Sequence, residues 1–263
     1  MAVSLSDEMQ RAFLSPLFLG GVAVAFTGIL FSGAFDLSIS EVSRMDALSV
    51  FRYAYCFNNS FWFVVVGAAL PYAGSFCEDY SSGRLCLLLV RERRWRYLSE
   101  KFVACVVSGG AVVVLSCSLF LVLCTALCPE LVSVETGEWQ YLAGHEPFIE
   151  VLLEGNAILY WVLFCCAQFC YGAFWAALGF TASLFALYRY AAYAAPFIGA
   201  IALVQIIHFG AWPVQLNLAS LAYSQSFGGT TQTMLVIAGV YGLAMLLMLA
   251  ACYGRLRTVM AHE

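Results

Sequence analysis

The sequence predicts an all-α integral membrane protein: one transmembrane domain over residues 1–263, six transmembrane helices, and both termini cytoplasmic. Composition carries the class. Hydrophobic residues make up 63% of the chain and charged residues 11%, with a mean hydropathy of +0.86, whereas a water-soluble domain is about a quarter charged. The apolar residues also fall in runs of roughly 20, the length that crosses a hydrocarbon core. Orientation comes from the twelve Lys and Arg residues. Arg11, Arg84, Arg91, Arg93, Arg94, Arg96, Lys101, Arg189, Arg255 and Arg257 lie in the N-terminal segment, the second-to-third loop, the fourth-to-fifth turn and the C-terminus. Only Arg44 and Arg52 fall in the opposite loops, so the positive-inside rule makes the larger set cytoplasmic.

Residues 4–14 are amphipathic, with Leu5, Met9, Ala12 and Phe13 on one side and Asp7, Glu8, Gln10 and Arg11 towards the other. They read either as an interfacial helix lying on the membrane or as a polar tail, and Pro16 then redirects the chain. No basic stretch leads into a short apolar core and a small-residue cleavage site, so no cleavable signal peptide is expected. The first span, about 17–35, is uncharged, and a polar connection over 36–59 holds Asp36, Glu41, Arg44, Asp46 and Arg52. The second span, about 60–77, contains Pro71, which is expected to kink it.

A basic segment over 78–101 leads to the third span, about 102–127. Residues 129–155 hold Glu130, Glu135, Glu138, Glu146, Glu150 and Glu154 and no Lys or Arg, and are placed outside. The fourth span lies within 156–187. That run is too long for an untilted crossing, so a projecting end or a bend near Gly172 or Gly179 is expected. Arg189 sits in a short turn before the fifth span, about 191–209. Residues 210–231 are uncharged, and the last span covers about 232–253.

Nine of the eleven cysteines fall in or at the ends of spans, with Cys56 in an outside loop and Cys86 in the basic segment. They read as small packing residues and not as a disulfide framework. Cys166 and Cys170 share a helix face and could hold a soft metal such as copper, but packing is the favoured reading and no metal site is expected. The three histidines, His145, His208 and His262, are scattered, and neither an H-E-x-x-H pair nor a G-x-S-x-G elbow occurs. The expectation is therefore not an enzyme. His208 reads as an interfacial residue near Trp212. Intramembrane charge is nearly absent away from helix ends, which argues against ion-coupled transport. No phosphate-cradling Walker motif is present, and no nucleic-acid partner is expected.

The sharpest signal is Glu78–Lys101, EDYSSGRLCLLLVRERRWRYLSEK, with half of the basic residues and the only lysine. On a helix, Leu85, Leu88 and Leu89 share a face, and Arg91, Arg93, Arg94 and Arg96 crowd the next turn. Gly83 supplies the close turn out of the second helix. Plain positive-inside charge and attraction to anionic lipid would explain the arginines alone.

The order Phe76, Glu78, Gly83, Leu85, Leu87-Leu88-Leu89, Arg93-Arg94 and Lys101 resembles the integral membrane subunits of ABC exporters of the type-2 permease class. In those proteins a Phe and an acidic residue end the second helix, and a Gly, a Leu-rich segment, a basic cluster and a Lys follow. Two positions depart from the pattern: Arg84 replaces the common Thr, and the Pro common before the basic cluster is missing. The resemblance implies a coupling surface for a separate ATPase subunit at Glu78, Asp79, Gly83, Arg84, Leu85, Leu88, Leu89, Arg91, Arg93, Arg94 and Arg96. It adds Arg189 as a second cytoplasmic turn. It also implies a re-entrant outer hairpin between helices 5 and 6, turning at Trp212, Pro213, Gly228 and Gly229. ATP and Mg would sit on the partner, with no cofactor in this chain. A second permease copy or paralogue would complete a homo- or heterodimer among membrane lipids, in a plasma membrane such as the bacterial inner membrane. The implied function is outward movement of an amphiphile (lipid, peptide, drug or lipid-linked glycan). The alternative is a membrane-embedded immunity or regulatory subunit with no pathway of its own.

Overall fold

A computed structural model describes residues 5–43, 45–57, 60–91, 93–128, 130–133, 139, 146–210 and 217–259. The described residues are helical, with no strand among them. In chain order the helices are α1 (Leu5–Phe13), α2 (Pro16–Ser43), α3 (Ala47–Arg52, continuing as a π-helical turn over Tyr53–Phe57), α4 (Phe61–Ala69), α5 (Ser75–Ser81), α6 (Arg84–Arg91), α7 (Arg94–Leu127), α8 (Ile149–Leu153), α9 (Ala157–Ala186), α10 (Arg189–His208), α11 (Leu221–Ser224) and α12 (Thr230–Val259). Five of them, α2, α7, α9, α10 and α12, are long and apolar enough to cross a membrane, and the chain is a multi-pass membrane protein on that ground.

The second predicted span is not one helix. Pro71 has no N–H to donate and its ring disfavours a continuing helix. The chain therefore turns over Leu70–Gly74 between α4 and α5, where a simple kink was expected. The third helix starts at Arg94, two turns before the expected 102, so part of the basic cluster lies on a spanning helix and not in a loop. The fourth span runs unbroken through Gly172 and Gly179. At about 1.5 Å per residue it is some 45 Å long and outreaches a hydrocarbon core.

α9 is the centre of the bundle, packed against α7, α12, α10 and α4. Its closest approach is to α7. A Cβ on Gly172 would lie 2.7 Å from the Gly109 carbonyl oxygen, and a Cβ on Gly109 would lie 2.3 Å from the Ala176 Cβ. Small residues at such a crossing let helix backbones meet, which is how membrane helices associate when lipid tails are as apolar as the side chains. Farther along, Tyr55 donates to Gln168 Oε1 at 2.6 Å, and the Gln168 amide faces the Ala222 carbonyl at 3.5 Å. Leu221 and Ala222 are buried there, so α11 folds back onto the bundle.

Beyond the C-terminal end of α7, a second set of polar groups holds the connection between α2 and α4. Asp46 caps α3, accepting from the Ser49 N–H at 2.6 Å, and also accepts from the Ser133 N–H at 2.7 Å and Trp139 Nε1 at 3.1 Å. Arg52 pairs with Glu146, and its guanidinium lies 4.9 Å from the centre of the Trp139 ring.

Candidate functional site

The basic segment folds as a step. α5 ends at Gly83, whose φ of +69° is left-handed and suits glycine at a helix terminus. α6 then lays Leu85 and Leu88 against the apolar cluster of Phe76, Tyr97 and Leu98, while Leu87 and Val90 point outward. Arg84, Arg93, Arg94 and Arg96 are exposed. Trp95 meets Tyr253 edge-on at 5.2 Å, which brings the C-terminal end of α12, with Arg255 and Arg257, beside the start of α7. Nothing in the sequence linked those two basic stretches.

Not every residue of the anticipated surface faces outward. Asp79 and Leu85 are buried. Glu78 forms an ion pair with Arg189 at 3.2 Å, so two segments predicted separately are in contact. Leu89 and Arg91 are placed on α6 by their backbone alone. Gly228 and Gly229 have φ of +82° and +141° and turn the chain into α12, whereas Trp212 and Pro213 lie outside the described residues.

Behind the step sits a buried ion cluster that the sequence reading missed. Lys101 is fully buried and lies 2.9 Å from Asp79 Oδ2 and 3.6 Å from Glu8 Oε2. Tyr97 donates its hydroxyl hydrogen to Asp79 Oδ2 at 2.9 Å. The Lys101 ammonium also lies 5.2 Å and 5.6 Å from the Tyr72 and Tyr97 rings. Arg11 approaches from the rim, 3.4 Å from Glu8 and 4.0 Å from Asp79. The cluster thereby binds α1, α5 and α7 together, and α1 docks on α7.

Glu8, read from the sequence as part of the polar face, is on the buried face, four residues before the buried Ala12. Burial raises its carboxyl above the ordinary value of 4.5; Lys101 and then Arg11 pull it back, and Asp79 adds to the rise. Two signals were available: Lys101 is the only lysine, and Glu8 lies four residues before Ala12, on one face of the helix.

The remaining candidates stay apart. Cys166 is exposed, Cys165 and Cys170 are half-buried, and no disulfide forms among the ten described cysteine side chains. No group of three His, Cys, Asp or Glu suited to a metal is present among the described residues. His208 is exposed at the end of α10 beside Phe209. Comparison with protein-family models, with curated proteins and with solved structures finds no match.

Proposed function

We propose that the chain is the membrane-spanning subunit of an ATP-driven exporter of the ABC type-2 permease kind, moving an amphiphile outward with a separate ATPase subunit that carries ATP and Mg. In this reading α4 and α5 together make the sixth crossing, both termini are cytoplasmic, and residues 210–231 form a re-entrant outer hairpin. Irregular backbone at that depth is tolerated where it is buried in protein, and within this stretch the short helix α11 packs Leu221 and Ala222 against the bundle, the Ala222 carbonyl facing Gln168 of α9. A second copy or a paralogue completes the pathway.

One observation carries the proposal. Around Gly83, an exposed surface of Arg84, Leu87, Val90, Arg93 and Arg94 stands on a base fixed to the bundle by Lys101, Asp79 and Glu8. A partner pressing there would act on α5, α7 and α1 at once, and through the Glu78–Arg189 pair on α10. Force from nucleotide-driven closure would then reach the spanning helices without crossing a flexible linker.

The test is purification of the intact membrane complex. A stoichiometric ATP-binding partner is expected, and the double charge reversal Arg93→Glu with Arg94→Glu should lower its co-purification or its coupled ATPase activity about tenfold, as for loss of interfacial charge pairs. A complex without such a partner, or one indifferent to the reversal, overturns the docking role and favours a regulatory membrane subunit.

A further inference from the structure

Between the start of α2, the Leu70–Gly74 turn and the start of α10 lies a cavity of about 390 Å³, within the range of small-molecule sites. Arg11, Ser75, Glu78 and Arg189 line its polar side. Arg189 gives Nε to the Tyr193 hydroxyl at 3.1 Å and Nη2 to Glu78 at 3.2 Å. Among the described residues Arg11 makes only the two longer approaches to Glu8 and Asp79. A guanidinium has five N–H donors, so both arginines keep donors for a further acceptor. Ser75 is 4% exposed, and its hydroxyl has no hydrogen-bond partner among the described residues, a costly state for a buried polar group.

Pro16, Leu17 and Pro71 form the apolar side. Leu14 and Leu19, flanking Pro16 and Leu17 in the chain, are 82% and 70% exposed. α2 and α10 are both of membrane-spanning length and both begin at this cavity, so it lies at the level of lipid headgroups.

We propose that this cavity holds the phosphodiester of an anionic phospholipid, with Arg11 and Arg189 on the phosphate oxygens, Ser75 donating to one of them, and the acyl chains leaving across Leu14 and Leu19. Charge selects the class. Arg11 and Arg189 against Glu78 leave the lining one formal positive charge, which a single phosphodiester neutralises. Glu8 and Asp79 stand behind Arg11 and are engaged with Lys101. A headgroup carrying its own ammonium would bring a third cation to two guanidiniums whose one lining carboxylate is already paired. The apolar side distinguishes a lipid from free phosphate, which has nothing to lay against it. The inference requires a membrane and does not depend on the exporter reading.

Native mass spectrometry of the full chain, released from equimolar phosphatidylglycerol and phosphatidylcholine, tests it. Wild-type protein should retain phosphatidylglycerol preferentially, and Arg11→Gln with Arg189→Gln should lose most of that preference, about fivefold per arginine. Arg257→Gln, the same substitution at a single arginine outside the cavity, should keep it. Ser75→Ala removes only the unpartnered hydroxyl and should weaken retention in a protein that still folds, should the double variant not. Thermal shifts with phosphatidylglycerol and with inorganic phosphate distinguish the sources, and only the lipid should stabilise. Equal retention of both lipids by wild-type protein overturns the proposal, as does undiminished preference in both cavity variants, or a shift with inorganic phosphate equal to that with lipid.

Discussion

The two ends of α7 each carry a buried ion cluster, about 40 Å apart at 1.5 Å per residue, and they are built differently. At the far end Asp46 is satisfied by the N–H groups of Ser49, Ser133 and Trp139, while Arg52 has Glu146 on one side and the Trp139 ring on another. Much of that cluster ties backbone to side chain, and it pins a loop to the bundle. At the near end one fully buried ammonium serves two carboxylates, and Glu8 Oε2 has no hydrogen bond. That cluster joins three helices through side chains alone. The first arrangement suits an anchor for the loop, although Arg52 Nε is buried there without a hydrogen-bond partner among the described residues. The second leaves an incompletely satisfied carboxylate at a junction of helices, where a shift in protonation or position can be read by the bundle.

The largest effect should come from the shared cation. Lys101→Met would leave the buried Asp79 and Glu8 with only Arg11 at the rim as counter-charge, a loss of about 3–5 kcal/mol for a broken buried pair. Thermal unfolding in detergent should show it. Adding Asp79→Asn should restore part of the loss, because the uncompensated charge is removed with its partner gone. If Lys101→Met alone unfolds like wild type, the ion pairs contribute nothing and the contrast between the ends fails.

Asp46→Ala should cost less. It removes one helix cap, about 1 kcal/mol, and strands the Ser133 and Trp139 donors, adding about 1–3 kcal/mol. The loss should be confined to the far end. Proteolysis within residues 129–145 should quicken, while the near end, probed at α1 or α6, should not change. Equal loosening of both ends would mean that the clusters are not independent.

The two clusters also differ in how far the sequence betrayed them. Spans were legible because run length and charge depletion are properties of single segments. Pro71 could be seen to disturb the second span, but a turn over Leu70–Gly74 depends on what packs around it: Tyr72 is drawn in beside Lys101 and Cys77 donates to the Ser183 carbonyl at 3.3 Å. The early start of α7 was obscured because Arg94 and Arg96 read as loop charge, although helical backbone tolerates them at a membrane boundary. Asp46 and Arg52 were visible only as polar loop residues, since their partners lie beyond the third span. Lys101 was counted as topology charge. Its partner Glu8 comes from the N-terminal helix, and pairing at that sequence distance leaves no periodic mark.

The smallest expected effect is the most specific. Glu8 holds its proton more tightly in the folded protein than in the unfolded chain, because burial outweighs the attraction of Lys101 and Arg11. The stability linked to this group is therefore complete below the unfolded value near 4.5 and is lost as pH rises through the raised folded value. Glu8→Gln keeps the shape and removes the titration, so it should flatten the fall in stability across that window. Its cost at neutral pH should be small, because Asp79 remains on Lys101 at 2.9 Å. Asp46→Ala should leave the fall in place, since its cluster lies at the other end of α7. Unfolding midpoints from pH 4 to pH 8 measure both. An unaltered pH profile in Glu8→Gln would remove Glu8 as the titrating group and leave the near end as fixed an anchor as the far one.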